Sequence, residues 1–332
     1  MILEYRTSGS PTLPEVLDVS VVIAVYNGLP YLSEQLAALA RQTYSGRWEV
    51  IVSDNGSKDS SVDVARGFAG RLPLRIVDSR DVEGWGGALT AAIRVARGRL
   101  LLFCDQDDIV ADDWVEIMAA ALEKYPAVGG HLDEASLNPE SVREWRPPAT
   151  PGSLPRPFGL LPAPVGANCG LRREVYDEIG GLDLSFRTPA AEETDLFWRV
   201  QLAGHQLAYV PEAVVAYRHR PDLRSLLRQW RRYGRGRAYL VARYQALGLY
   251  SPESWRDGVA TAVWLLLHGV NCLRGRTRRA RYLRVLAHVL GQVEGSRDVG
   301  VIHVRRSDQH RAAYSKLPDA VKWGALEFRQ PR

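Results

Sequence analysis

The stretch Arg99-Leu-Leu-Leu-Phe-Cys-Asp-Gln-Asp-Asp-Ile-Val110 joins a short apolar run directly to a group of acids. The run from Leu100 to Cys104 requires burial on both faces, which is typical of a central strand in a parallel α/β sheet. Asp105, Asp107 and Asp108 follow it, at the end of the strand where such sheets bind their ligands. Carboxylates this close together repel one another unless a cation lies between them. The stretch therefore predicts a divalent-metal site or, alternatively, an acidic helix start.

Composition describes an ordinary globular protein. The 332 residues suit one large domain with an appendage, and 46% of them are hydrophobic while 24% are charged. The three cysteines, Cys104, Cys169 and Cys272, lie far apart without metal-ligand spacing, which predicts a reduced, cytoplasmic compartment. The polar, proline-interrupted segment from Met1 to Asp18 does not have the pattern of a signal peptide.

Charge is distributed unevenly along the chain. Residues 221–332 contain 22 Lys and Arg against 8 Asp and Glu, a net charge of +14. Residues 1–220 contain 21 basic and 30 acidic residues, a net charge of −9. This basic C-terminal part predicts contact with a polyanion, either nucleic acid or an anionic membrane face.

Strand and helix patterns alternate along the first two thirds of the chain. The strands are predicted over residues 19–26, 48–53, 74–77, 100–104 and 207–210, and the helices over 31–42, 61–68, 88–96, 173–179 and 192–203. This alternation predicts an α/β fold with a doubly wound, mostly parallel sheet flanked by helices. The proline cluster in residues 147–164 predicts a loop on the surface or over the site.

The ends of the predicted strands carry groups suited to a nucleotide. Asp54 ends the second strand, where it can accept a hydrogen bond from a base or a ribose. Gly84, Gly86 and Gly87 form either a simple tight turn or a close approach to phosphate before a helix N-terminus. A dinucleotide-binding Rossmann site does not fit, because the first strand runs into Tyr26-Asn27-Gly28 without the spaced glycines of that fingerprint.

In order and spacing, these segments resemble the successive signatures of the family 2 glycosyltransferases, which have the GT-A fold. The matching segments are 21–27, 54–59, 84–88, 105–107, 180–183, 191–196 and 210–219. They lie within residues 18–220, which we therefore expect to form a nucleotide-sugar-binding and catalytic domain. Residues 1–17 would be an N-terminal extension, and residues 221–332 a basic, mostly helical C-terminal extension.

The resemblance implies an inverting hexosyltransferase that uses a divalent cation, Mn²⁺ or Mg²⁺, a nucleotide-sugar donor of the UDP or dTDP type, and a hydroxyl acceptor. The positions that correspond to donor binding are Ala24, Tyr26, Asn27, Asp54, Gly84, Gly86, Asp105 and Gln106. Asp107, the second acid of the Asp-x-Asp motif, corresponds to the metal ligand. His219 corresponds to a further metal ligand, unless it is a structural histidine at a strand end.

The general base of this family usually comes from a Glu-Asp pair at the start of a late helix. Here the pair is Glu192-Glu193, so the base position holds Glu193, whose side chain is one methylene longer and whose reach to the acceptor hydroxyl differs accordingly. Asp195 is the alternative base, and the purely structural alternative is that these acids favour a helix N-terminus. Asn168, Glu192 and Arg232 are expected on the acceptor side.

The C-terminal part contains an apolar segment next to an arginine-rich one. Gln229, Arg232 and Tyr233 loosely resemble a motif of processive members, but the pattern is too short to indicate processivity. Residues 259–273 are mostly apolar yet fall short of the roughly 20 residues that span a bilayer, and arginine-rich residues 274–281 follow them. We expect either a peripheral segment on the inner face of the membrane or a helical subdomain packed on the catalytic domain. Nucleic acid is not expected, because no recognised binding module surrounds the arginines.

Two other functions fit the sequence less well than catalysis of sugar transfer does. A non-catalytic sugar- or lipid-binding scaffold of this fold is expected to have lost Asp107 or the Glu192-Glu193 pair, and this chain keeps both. A nucleotidyltransferase needs a basic, glycine-rich loop after the first strand to hold a triphosphate. This chain instead has Asn27-Gly-Leu-Pro30, which contains no basic residue.

Overall fold

The structure, a computed structural model, describes residues 16–82, 84–147, 152–185, 191–246 and 254–302. The strands are β1 (Leu17–Val25), β2 (Trp48–Asp54), β3 (Leu74–Asp78), β4 (Gly98–Phe103), β5 (Ile109–Val110), β6 (Ala127–Asp133), β7 (Cys169–Arg172) and β8 (Leu207–Ala216). The helices are α1 (Leu32–Leu39), α2 (Ser61–Arg66), α3 (Gly84–Val95), α4 (Trp114–Lys124), α5 (Glu140–Arg143), α6 (Arg173–Glu178), α7 (Glu192–Leu202), α8 (Leu223–Ala246), α9 (Ser254–Leu267) and α10 (Arg276–Ile302). Of the N-terminal extension predicted over residues 1–17, all but the last two residues lie outside the described residues.

The strands form one eight-stranded sheet in the order β3-β2-β1-β4-β7-β6-β8-β5. The pairs β3–β2, β2–β1, β1–β4 and β6–β8 are parallel, whereas β7 runs antiparallel to β4 and β6, and β5 runs antiparallel to β8. The prediction of an α/β fold with a mostly parallel sheet, flanking helices and a helical C-terminal extension is confirmed.

Strands β1 and β4 lie at the centre of the core. Val21 pairs with Leu102, and both side chains are fully buried because helices cover the two faces of the sheet. Strands β1, β2 and β4 run in the same direction, so their carboxyl ends lie at one edge of the sheet. This edge brings together Tyr26, Asn55 and Cys104, the first residues after these three strands, and Asp105 follows Cys104 directly.

Two predicted elements differ from the observed ones. The glycine-rich segment forms the first turn of α3, which begins at Gly84 and not at residue 88. Strand β8 continues past Pro211, where the sequence pattern predicted its end. The register between β6 and β8 shifts at Gly130, so the proline falls in the irregular part of the strand and removes no regular ladder hydrogen bond.

Helices α8 and α10 form a closely packed pair that is attached to the sheet domain. A Cβ atom at Gly234 would lie 2.0 Å from the carbonyl oxygen of His288, and one at Gly291 would lie 1.9 Å from that of Arg231. Only glycine permits this approach of the two backbones. Helix α8 in turn contacts α7 through the rings of Trp198 and Tyr244, whose centroids are 4.9 Å apart. Among the described helices, none is both long enough and apolar enough to cross a bilayer.

Candidate active site

Three aspartates form a compact acidic group immediately after β4. Asp105, Asp107 and Asp108 each offer one carboxylate oxygen, and these oxygens lie within 4.8 Å of one another. Burial, followed by the negative charge of Asp107, raises the pKa of Asp105 to about 6. Burial and the charges of its two neighbours also raise the pKa of Asp108. A bound cation would therefore stabilise the ionised form of this group.

The donor set of this group fits a hard divalent cation. Oxygen ligands from closely spaced carboxylates are those that Mg²⁺ and Mn²⁺ prefer. The Oδ2 atom of Asp108 is buried and, within the described part of the chain, has no hydrogen-bond partner. A buried carboxylate oxygen without a partner is costly, and a bound cation would satisfy it. Asp105, Asp107 and Asp108 are thus the residues that could hold a metal.

Two arginines that the sequence analysis did not single out contact the acidic group. The backbone N–H of Arg218 donates to Asp108 Oδ1 at 2.7 Å, and its Nε donates to the carbonyl oxygen of Asp107 at 2.9 Å. Arg220 Nη1 donates to Asp107 Oδ2 at 2.6 Å. Both arginines follow β8, whose pairing with β5 places them beside the acids. No local sequence pattern shows that these arginines lie beside the acids, because the long-range pairing of β8 with β5 brings them there.

A chain of contacts links the aspartates to the start of α7. Trp85 Nε1 donates to Asp105 Oδ1 at 3.3 Å. The Trp85 ring covers Gly166, where a Cβ atom would lie 2.9 Å from the ring and 3.8 Å from the Cβ of Glu193. In the same first turn of α3, a Cβ atom at Gly86 would lie 3.5 Å from Cγ of Glu192. The glycine-rich start of α3 thus lies between the two groups of acids.

The carboxyl group of Glu193 is strongly perturbed by this environment. Burial, followed by the negative charge of Glu192, raises its pKa to about 8, and Asp105 adds a smaller effect in the same direction. Glu192 is itself 2% exposed, and its Oε2 accepts a hydrogen bond from the backbone N–H of Ala191 at 3.0 Å. A carboxylate whose pKa lies near neutral pH is suited to accept a proton from a weakly acidic group.

Asp195 is not free to act as a base. Its side chain is fully buried and accepts from Arg199 Nε at 2.8 Å and from the Tyr244 hydroxyl at 2.8 Å, while Arg243 Nε lies 3.1 Å away. Arg243 also pairs with Asp183. The carboxylate is thus fully used in attaching α7 to α8, because two arginines and a hydroxyl satisfy it. This corrects the alternative assignment of Asp195 as the base.

Asn168 and His219 also have structural surroundings. The amide of Asn168 is buried and donates to the carbonyl oxygens of His131 and Ala213, both at 2.8 Å, while its oxygen accepts from Trp114. Its hydrogen-bonding groups are therefore used within the protein and do not face an acceptor. His219 is 4% exposed and is not one of the three residues of the acidic group, so the structure does not place it among the metal ligands. Its Nε2 instead lies 3.7 Å from Glu134 Oε1, and burial lowers its pKa to about 4.

Hydrogen bonds join the loops that follow β1, β2 and β4 beside the acids. Gln106 makes two hydrogen bonds with the backbone of Tyr26, at 3.0 and 3.2 Å. The backbone N–H of Asn27 donates to Ser57, and its side-chain oxygen accepts from the N–H of Lys58 at 2.8 Å. Gln106 and Asn27 therefore shape this edge, while the Tyr26 ring is left 52% exposed above it.

The remaining predicted donor positions lie along the same edge. Asp54 is 5% exposed and accepts from the N–H of Ser57 at 3.1 Å, and Ala24 pairs with Ser53 near the end of β1. Gly84 adopts a φ of 78°, a value that side chains disfavour. Arg232 of α8 lies near this edge as well. Loss of solvent, followed by the positive charge of Arg220, lowers its pKa.

All residues of this site lie within segments that match models of known protein families. Residues 20–180 match the family model described as Glycosyl transferase family 2. Residues 158–291 match a second model, described as Glycosyl transferase family group 2. Together the two matches run from β1 to α10 and include both groups of acids.

Individual proteins agree with these matches. The chain is 26% identical over 255 residues to the glycosyltransferase AglE of Haloferax volcanii, which covers 75% of this chain and 80% of that protein. It is 30% identical over 249 residues to an N-acetylglucosaminyltransferase of Mesorhizobium japonicum, covering 69% of this chain and 58% of the relative.

A solved structure shares the fold at low sequence identity. The mannosyltransferase PcManGT from Pyrobaculum calidifontis, in complex with GDP-Man and Mn²⁺, superimposes with a TM-score of 0.59 at 18% identity, over 86% of this chain and 89% of that one. The family models and the named relatives lead to the same conclusion: the chain is a glycosyltransferase, and the two segments that the models match are described as glycosyl transferase family 2 and family group 2 sequence.

Proposed function

We propose that the chain transfers a sugar from a nucleotide diphosphate sugar to an acceptor hydroxyl, with inversion at the anomeric carbon. The observation that carries the proposal is Glu193, a half-buried carboxyl group with a pKa of about 8 that is linked through Trp85 to the aspartate group. Acid–base chemistry at a hydroxyl and recognition of a charged diphosphate are thus supported within one site.

The donor would bind at the edge formed by β1, β2 and β4. Asp54 would accept a hydrogen bond from the nucleoside, and the exposed ring of Tyr26 would offer a surface on which a base can stack. Asp105, Asp107 and Asp108 would hold Mn²⁺ or Mg²⁺, which when bound neutralises charge on the leaving diphosphate. The named complex of PcManGT, which contains GDP-Man and Mn²⁺, supports this combination of ligands.

Glu193 would remove the acceptor proton. Its carboxylate takes the proton of the hydroxyl, the acceptor oxygen forms a bond with the anomeric carbon, and the bond from that carbon to the diphosphate oxygen breaks. Attack from the face opposite the nucleotide gives inversion. Glu192 contributes by its negative charge, which raises the proton affinity of Glu193. Arg232, which is close enough to Arg220 and Glu192 to feel their charges, would contact the acceptor or the diphosphate.

A panel of nucleotide sugars tests this function. We expect one class of donor, carrying uridine, thymidine or guanosine diphosphate, to raise the melting temperature of the protein, and to raise it further with Mn²⁺, because ligand binding to the native state adds stability. The same donor should then release its nucleotide diphosphate when acceptor sugars are added. A chain that is not stabilised by any donor of the panel, with or without the metal, would contradict the proposal.

We also propose that the C-terminal helices contact an anionic membrane. Helix α9 and the turn after it leave Leu266, Leu267 and Leu273 between 72% and 86% exposed, whereas most other large apolar side chains of the described chain are covered. Five exposed arginines follow directly: Arg274, Arg276, Arg278, Arg279 and Arg281. Residues 258–293 contain no acid. An apolar surface bordered by arginines matches the interface of an anionic bilayer.

Vesicle co-sedimentation tests this contact. We expect the protein to sediment with phosphatidylcholine vesicles that contain phosphatidylserine, and less so at high salt, because each arginine near the surface adds roughly 1 kcal/mol. Replacing Leu266, Leu267 and Leu273 by serine should release the protein, while Val16→Ser, at another exposed apolar position, should not. Equal sedimentation of both variants, or a leucine surface that is instead buried between two copies of the chain in solution, would contradict the membrane contact.

A further inference from the structure

A side-chain cation pairs with a carboxylate of the aspartate group. Arg220 Nη1 lies 2.6 Å from Asp107 Oδ2, a short ion pair in which the arginine side chain is 38% exposed and the aspartate side chain 11%. Asp107 is the acid that the proposed function assigns to the metal. The guanidinium therefore occupies a carboxylate oxygen that a divalent cation would need.

The segment that carries Arg220 is firmly attached, but its side chain is not. Arg218 fixes the segment through its hydrogen bonds to Asp107 and Asp108, and its guanidinium lies 4.1 Å above the ring of Tyr31. The backbone N–H of His219 donates to Asn138 at 2.7 Å. Arg220 has one described acidic partner at the end of a long side chain that is partly open to solvent. It can therefore swing away while its backbone stays in place.

Two cations cannot both use Asp107 at this distance without repelling each other. Binding of a metal to the aspartates alone either breaks the ion pair or leaves the guanidinium beside a new positive charge, and both outcomes weaken metal binding. A nucleotide diphosphate changes the balance, because its oxygens offer arginine a bidentate partner that is at least as favourable as the carboxylate. Arg232 is also near Arg220, so a second guanidinium is available on the same side.

We propose that Arg220 is a tethered counter-cation. It neutralises Asp107 until the donor arrives, and it then pairs with the donor diphosphate and leaves Asp107 to bind the metal. The inference rests on the proposed function for the identity of the donor and the metal. It explains how three acids can be kept close together in the absence of donor. It also predicts that metal and diphosphate bind in a cooperative manner, because each removes an obstacle to the other.

Metal titration without any nucleotide or acceptor tests the first half of the exchange. Free Mn²⁺ measured by electron paramagnetic resonance should show that Arg220→Gln binds the ion roughly tenfold more tightly than the wild-type chain, because the competing guanidinium is gone. Arg224→Gln removes an exposed arginine four residues further along and should bind Mn²⁺ as the wild type does. Unchanged or weaker Mn²⁺ binding in Arg220→Gln, or no Mn²⁺ binding by either chain, would overturn the proposal.

Calorimetry with inorganic pyrophosphate, in the presence of a chelator, tests the second half. Pyrophosphate carries the diphosphate group without committing to a base or a sugar. We expect Arg220→Gln to bind it roughly tenfold more weakly than the wild type and Arg224→Gln to bind it equally well. Equal binding by wild type and Arg220→Gln would show that Arg220 does not face the diphosphate. Neither titration requires turnover, so a failure of Glu193 as the base would leave both results interpretable.

Discussion

The variant Asp107→Asn is expected to lose metal-dependent binding of nucleotide diphosphates while it keeps its fold. The substitution preserves the shape of the side chain but removes the negative charge at the centre of the aspartate group. Asp107 is buried and is one of the three residues whose carboxylate oxygens lie within 4.8 Å of one another, so the substitution removes one of the three charges available to a metal. A hard divalent cation depends on the charge of its oxygen ligands, and an amide oxygen supplies none.

The measurement is the affinity for the nucleotide diphosphate found in the donor panel, titrated with and without Mn²⁺. The wild-type chain should bind it more tightly with the metal, and Asp107→Asn should show the same weak binding in both conditions. Asp113→Asn, an exposed aspartate six residues further along, is the matched control and should keep the metal effect. A metal effect that survives in Asp107→Asn would remove this residue from the site.

The variant Glu193→Gln is expected to lower kcat by about 10²–10⁴-fold, the usual contribution of a general base. Glutamine keeps the shape of the side chain but cannot accept the acceptor proton. The KM for the donor should change little, because Glu193 lies at the start of α7 and is not one of the three residues of the acidic group. A large fall in kcat at nearly constant KM identifies an interaction made in the transition state.

Two controls separate this effect from a loss of structure. Glu212→Gln, an exposed carboxylate on β8, should leave kcat unchanged. Asp195→Asn should instead lower the melting temperature, because Arg199, Arg243 and Tyr244 lose a fully buried charged partner. If Glu193→Gln retains full activity, another group takes the proton and the assignment of the base is wrong.

The first half of the sheet was predictable because each of its strands is a local pattern. The runs that became β1, β2 and β4 are apolar, and turn residues end the first two of them. Strands β6 and β7 were not predicted. Gly129 and Gly130 interrupt the first, and the second has only four residues, so neither gives a clear local signal. Their positions are set by pairing with each other and with β4 and β8.

Some residues of the candidate site were likewise predictable from sequence, and others were not. Motif order placed Asp105, Asp107 and Glu193 in the site region, because each follows a recognisable strand or begins a recognisable helix. Sequence could not show that the carboxylate of Asp195, three residues from the start of the same helix, is used up by its partners, because Arg243 and Tyr244 come from another helix. It also could not identify Arg220, whose partner lies 113 residues away in the chain.

The pH dependence of kcat/KM tests the assignment of Glu193 most directly. The base works only when it has lost its proton, so a raised pKa means that activity is lost as the pH falls below about 8. The wild-type chain should show kcat/KM rising about tenfold per pH unit and levelling off near pH 8, and the residual activity of Glu193→Gln should lack this rise. A wild-type profile that is flat between about pH 6 and pH 9, or a rise that persists in Glu193→Gln, would contradict the assignment.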